Sequence, residues 1–112
     1  MAILNDKRFA AGFAGLPFII TGAREKRRFG ADGKATDVVE AVRITAVSQT
    51  VGEIAIDLFP FSQEKLERCS TYFGLQIAVD DVIDIENCKI FVFNSSLRVT
   101  ITAADIQPKI EI

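Results

Sequence analysis

Apolar and polar residues alternate with a period of two over most of this chain, the signature of half-buried β-strands. The first β-rich run extends from Phe18 to Phe29. It is followed by Gly30-Ala31-Asp32-Gly33 and a second run near Val38 to Val47. Asp-Gly supplies the positive φ angles of a tight turn, so the two runs are predicted to form a hairpin. Val42, Ile44 and Ala46 share one face of the second run, and Arg43 and Thr45 share the other. The alternation slips near Glu40-Ala41, where a β-bulge restores register.

Gly52 marks the next turn. A third strand follows, with Ile54, Ile56 and Leu58 inward and Glu53, Ala55 and Asp57 outward. The period then changes. Residues 63–72 read as the one helix, with Ser62 as N-cap and Phe61 and Leu66 at the hydrophobic-staple positions. Leu66, Cys69 and Phe73 make its apolar stripe, Glu64 stands four residues before Arg68, and Gly74 ends it.

Strand patterning resumes with Leu75, Ile77 and Val79. Residues 80–87 form an acidic connection. Cys88, Ile90 and Val92 alternate with Lys89, Phe91 and Phe93, a turn is expected at Asn94-Ser95-Ser96, and the last strand has Leu97, Val99 and Ile101 inward. Ala103 to Ile106 reads as a single helical turn. Three strands, a helix and two or three further strands predict a mainly β fold, a small OB-fold-like barrel with one helix. An SH3-like barrel or a twisted sheet with one packed helix fits the same order.

With 112 residues the chain has room for one domain: an N-terminal arm over 1–15, a core over 16–107 and a tail over 108–112. Lys7 and Arg8 precede an apolar stretch from Phe9 to Ile20, but it is short for a membrane helix and interrupted by Gly12, Gly15 and Pro17. It is read as an arm leading into the first strand, with no membrane association. Cys69 and Cys88, far apart in sequence, read as buried thiols in a reducing, cytoplasmic compartment.

The chain has no histidine, which removes the commonest general base and metal ligand together. No nucleophile–base pair, phosphate-binding glycine loop or metal-ligand spacing is present, so neither enzyme activity nor a cofactor or metal is expected. The run Asp80, Asp81, Asp84 and Glu86 lacks the spacing of a calcium loop and reads as a solvated connection.

The net charge of −2 is unevenly spread. Residues 1–50 carry eight Lys or Arg against five Asp or Glu, and residues 51–112 carry five against ten. A polarised molecule of this kind can focus an anion on one face. The basic run Arg24-Glu25-Lys26-Arg27-Arg28 is the most unusual feature. On an extended strand Arg24, Lys26 and Arg28 point to one side about 7 Å apart, close to the spacing of phosphates along an extended nucleic-acid strand. Lys34 in the turn and Arg43 on the partner strand widen the patch. The plain alternative is a solvated strand end whose charges protect an edge. Lys89, Phe91 and Phe93 offer a second element. Exposed, they are a platform for stacking bases; buried, they pack under the helix or the N-terminal arm.

Several segments carry a family likeness: Ala23-Arg24-Glu25-Lys26-Arg27-Arg28, Gly30-Ala31-Asp32-Gly33-Lys34-Ala35-Thr36-Asp37, the strand ending before Phe59-Pro60, and Arg98-Val99-Thr100-Ile101-Thr102-Ala103-Ala104-Asp105-Ile106-Gln107-Pro108-Lys109. Over residues 16–109 the chain resembles the YdcP-like (HelP) proteins of Gram-positive conjugative elements. The resemblance implies a small non-enzymatic protein that helps a host helicase unwind element DNA nicked by the relaxase, in association with single-stranded DNA. It places Arg24, Lys26, Arg27 and Arg28 in the matching hairpin and assigns no further site residue. The other reading is a β-barrel interaction or assembly module of a phage or mobile element, forming a homo-oligomer and binding no nucleic acid.

Overall fold

The computed structural model describes residues 17–49, 52–93 and 96–108, except for the side chains of 91–93, 96 and 97. The expected N-terminal arm, the Asn94-Ser95 turn and the end of the tail lie outside the described residues.

The hairpin forms where the pattern places it, as β1 (Phe18–Phe29) and β2 (Ala35–Ser48). Its loop is longer than a two-residue turn. The Gly30 N–H donates to the Lys34 carbonyl at 2.8 Å and the Gly33 N–H to the Gly30 carbonyl at 3.0 Å. Gly33 alone takes a positive φ, 78°, and Asp32 does not. In the ladder Lys26 faces Ala41 while Arg27 faces Val39, so Glu40 is the extra residue of a bulge. This is the slip visible in the sequence.

The turn at Gly52, with φ 85°, leads into β3 (Gly52–Leu58). Helix α1 (Gln63–Ser70) begins at Ser62, whose Oγ accepts from the Lys65 N–H at 3.3 Å. Three expectations for the helix fail. It ends at Ser70 with Thr71 as C-cap, so Gly74 (φ 84°) closes the turn after the helix and does not cap it, and Phe73 falls in that turn, 70% exposed, instead of completing the apolar stripe. Arg68 does not pair with Glu64. Its Nη2 donates to both carboxylate oxygens of Asp105, at 2.9 and 2.8 Å, and Nη1 donates to the Ile106 carbonyl at 3.3 Å. A carboxylate held across the fold wins over one on the neighbouring helical turn.

Beyond the helix come β4 (Gln76–Ile77), a 3-10 turn over Val79–Asp81, β5 (Val82–Ile83), β6 (Asn87–Phe93), β7 (Ser96–Ala103) and β8 (Asp105–Ile106). The helical turn expected at residues 103–106 is instead strand β8, which pairs antiparallel with β5 as a small second sheet. Nor is the acidic connection wholly solvated. Asp81 is 6% exposed, and its Oδ2 accepts from the Ala78 N–H at 2.9 Å.

The main sheet has the order β4-β1-β2-β3-β7-β6. Every pair is antiparallel except β3 with β7, which run parallel. The fold is mainly β, a six-stranded sheet curled into a half-barrel with one short helix. The core lies on one face: Phe18, Ile20, Val42, Ile44, Ile54, Ile56, Leu58, Val99 and Ile101 pack with Cys69 of α1. Each such aliphatic or aromatic burial contributes roughly 1.5–3 kcal/mol. With one face committed to the core, period-two alternation sends the remaining strand residues to the opposite face.

Candidate functional site

That opposite face is assembled by register. Arg24 stands beside Arg43, Arg43 beside Asp57, and Asp57 beside Thr102. The neighbouring row runs Gly22, Thr45, Ala55, Thr100 and Lys89 across five strands. Adjacent strands lie about 4.8 Å apart, so each row is a short ladder across the sheet; the first is polar throughout, and the second is polar at Thr45, Thr100 and Lys89. A groove of about 610 Å³ follows this face, with Arg24, Arg43, Arg98, Thr21, Thr45 and Thr100 in its lining and Glu53 as the one acidic residue among the described lining. Thr21 Oγ1 donates to Thr45 Oγ1 at 3.0 Å, which fixes two of the hydroxyls.

Arg43 is locked. Its Nε donates to Asp57 Oδ1 at 2.7 Å and its Nη2 to Asp57 Oδ2 at 2.9 Å. The two-pronged geometry matches a planar guanidinium to a planar carboxylate. Hydrogen bonding to Asp57 raises the Arg43 pKa above its ordinary value, so the cation persists at any working pH. The Asp57 side chain is only 3% exposed under this lid. Arg43 therefore brings shape and hydrogen-bond donors to the groove, but little uncompensated charge. Arg24 differs: it is exposed, and no carboxylate among the described residues pairs with it.

The other hairpin cations are partly compensated. β1 carries no extra residue from Gly22 to Arg27; both downstream irregularities add residues to β2. Lys26 and Arg28 consequently reach one carboxylate together. Lys26 Nζ pairs with Glu40 Oε1, and Arg28 Nε donates to Glu40 Oε2 at 3.4 Å. The Lys26 ammonium, hydrogen-bonded to Glu40, holds that carboxyl below its usual 4.5 despite an opposing cost of burial. Lys26 Nζ also lies 5.7 Å from the centre of the Phe59 ring, within range of a cation–π contact. Arg27 pairs loosely with Glu25 at 3.4 Å and with Asp37 at 3.8 Å. Exposed pairs of this kind contribute about 0–1 kcal/mol and exchange readily for another anion.

The expected patch is thus divided. Arg24 and Arg43 lie in the groove; Lys26, Arg27 and Arg28 lie along the hairpin with carboxylate partners; Lys34 is exposed in the hairpin turn. Lys89 is exposed on β6 and faces Thr100 in the ladder. The side chains of Phe91 and Phe93 lie outside the described residues, although their backbones pair with Arg98 and Ser96. Arg98 and the three threonines were not among the sequence candidates. For Thr45 the outward position is legible in the alternation, but the placement of Arg98 and Thr100 beside this face depends on β7 crossing to pair with β3.

Comparison with protein-family models, with curated proteins and with solved structures finds no match.

Burial pushes the Cys69 and Cys88 thiols up to about 11, which leaves both protonated and poorly nucleophilic near neutral pH. No group of three or more Cys, Asp or Glu among the described residues is placed to hold a metal ion. No helix among them is long and apolar enough to cross a membrane.

Proposed function

We propose that this chain is a non-enzymatic accessory factor that binds single-stranded DNA across the polar face of its half-barrel. The observation that carries this reading is the groove over β1, β2, β3 and β7, whose described lining has three arginines and three threonines against one acidic residue. Guanidinium and hydroxyl groups both donate to phosphate oxygens, and a groove lined by them tracks a backbone without reading sequence. Arg24 and Lys89 supply the exposed charge, and Arg43 supplies fixed donors. The hairpin cations Lys26, Arg27, Arg28 and Lys34 extend the positive strip where DNA phosphates displace Glu25, Asp37 and Glu40. An OB-like barrel presents the same side of its second and third strands to oligonucleotides.

The likeness to the YdcP-like proteins gives this activity its setting: support of a host helicase on conjugative-element DNA opened by a relaxase. Titration of a labelled oligothymidylate followed by fluorescence anisotropy tests the binding directly. Three phosphate contacts at about −0.7 each in the logarithmic salt slope give roughly a twentyfold loss of affinity between 50 and 200 mM salt. Absence of salt-sensitive binding at micromolar protein would remove the DNA reading.

A second reading, an interaction or assembly module, is favoured by Phe29 and Val38. They are 65% and 51% exposed on the hairpin, where a soluble monomer gains nothing from them. A stable homo-oligomer in light scattering, together with no oligonucleotide binding, would select it.

A further inference from the structure

We propose that the open edge of β1, from Gly22 to Phe29, receives an extended acidic segment of a partner protein as an added strand. On one side β1 is paired with β2 along nearly its whole length. On the other side, β4 pairs only with Phe18 and Ile19, and the backbone of Ile20 bonds to Leu75 and Gly74. From Gly22 onward no strand among the described residues covers that side. Because the extra residues of the bulges sit on β2, β1 itself stays evenly pleated over Gly22 to Arg27. An eight-residue edge of this kind is about 26 Å long and presents alternate backbone N–H and C=O groups to an incoming chain.

Charge selects the occupant. Arg24, Lys26, Arg27 and Arg28 line the edge against Glu25, and the β2 carboxylates Asp37 and Glu40 only partly offset them. Arg24 has no carboxylate, and Lys26 and Arg28 divide one. Acidic residues at alternate positions of an added strand meet Arg24, Lys26 and Arg28 on one face, while those between meet Arg27 on the other. The same charges disfavour two other occupants. A second copy paired antiparallel about Lys26 sets Arg24 against Arg28 and Lys26 against itself, with Glu25–Arg27 as the one favourable pairing. The chain's own first sixteen residues carry Lys7 and Arg8 against Asp6, so they bring the wrong sign. The edge shares Arg24 with the groove and its other cations with the strip proposed for DNA, but the inference rests on the unpaired backbone of β1 and not on the DNA reading.

The test uses the whole chain and a fluorescein-labelled decapeptide of alternating Glu and Val. The control is the same peptide N-methylated at alternate residues, which keeps its charge but cannot extend a ladder. Anisotropy should show at least tenfold weaker binding of the control, and hydrogen exchange should show new protection of amides within residues 22–29 on adding the unmodified peptide. The variant Arg27→Glu with Arg28→Glu should lose the Glu-Val peptide by at least tenfold and accept a Lys-Val peptide instead. Equal binding of the two acidic peptides would overturn the proposal, as would no binding of either. So would protection of the same amides by an oligothymidylate that displaces the peptide, since the edge would then be a nucleic-acid contact. Because the N-methyl comparison uses the unaltered chain, it stands even if the charge-reversed variant fails to fold.

Discussion

Replacing Arg43 by Ala should cost this domain about 3 kcal/mol of stability, for a reason unrelated to ligand binding. Asp57 lies in the middle of the sheet with its side chain 3% exposed, and both its oxygens accept from Arg43. Truncating the arginine leaves a buried carboxylate with its cation gone. Breaking a buried pair in this way typically costs 3–5 kcal/mol. The 27% exposure of the Arg43 side chain lets water recover part of that loss, which argues for the lower end of the range. For a domain of this size about 4 °C of melting temperature accompanies each kcal/mol, so the midpoint should fall by roughly 12 °C. Urea denaturation followed by circular dichroism measures the loss directly. The double variant Arg43→Met with Asp57→Leu removes both charges and fills the space, and it should return to within about 1 kcal/mol of the parent. A single variant within about 1 kcal/mol of the parent would refute the reasoning and show that Asp57 finds water or another donor. The double variant also offers the fair test of Arg43 in DNA binding, since weaker binding by the single variant confuses lost contact with lost fold.

Other outcomes follow from single groups. Glu40 has its carboxyl pKa lowered by Lys26, so its contribution to hairpin stability is present above about 4.5 and is lost as pH falls through its lower folded value. The stability difference between the parent and Glu40→Gln should therefore be constant near neutral pH and shrink below 4.5; a difference that grows on acidification would reverse the assignment. The same substitution frees Lys26 and Arg28, and oligothymidylate affinity at neutral pH should rise a few-fold in anisotropy. Cys69 is fully buried with its thiol pushed up, so iodoacetamide at pH 8 should leave it unmodified in the native chain by mass spectrometry and label it in urea. Ile56→Ala removes a fully buried side chain from the centre of β3 and should cost roughly 2–5 kcal/mol by chemical denaturation.

What the sequence discloses and what it hides divide along the distance over which each feature is determined. The hairpin, the glycine turns, the Ser62 cap and the bulge at Glu40 follow from neighbouring residues, and all are found where the pattern places them. Phe73 misleads because helical spacing says nothing about where the helix stops. Strand β8 is missed because two residues acquire strand character only from their partner β5. The site is subject to the same limit. The alternation puts Arg24, Arg43 and Arg98 on outward positions, but it does not state that Asp57 will take up Arg43 or that Glu40 will gather Lys26 and Arg28. Those pairings need register across strands, and for Arg68 with Asp105 they join residues 37 apart.

The parallel seam between β3 and β7 has a consequence for biogenesis. The meander β1-β2-β3 closes through short turns and can assemble as it leaves the ribosome. Ile54 and Ile56 must then wait for Val99 and Ile101, which are made well after the meander. Throughout that interval the nascent polypeptide offers an apolar, unpaired flank to its surroundings. The interval between synthesis of the meander and arrival of β7 is when aggregation or chaperone capture competes most strongly with folding.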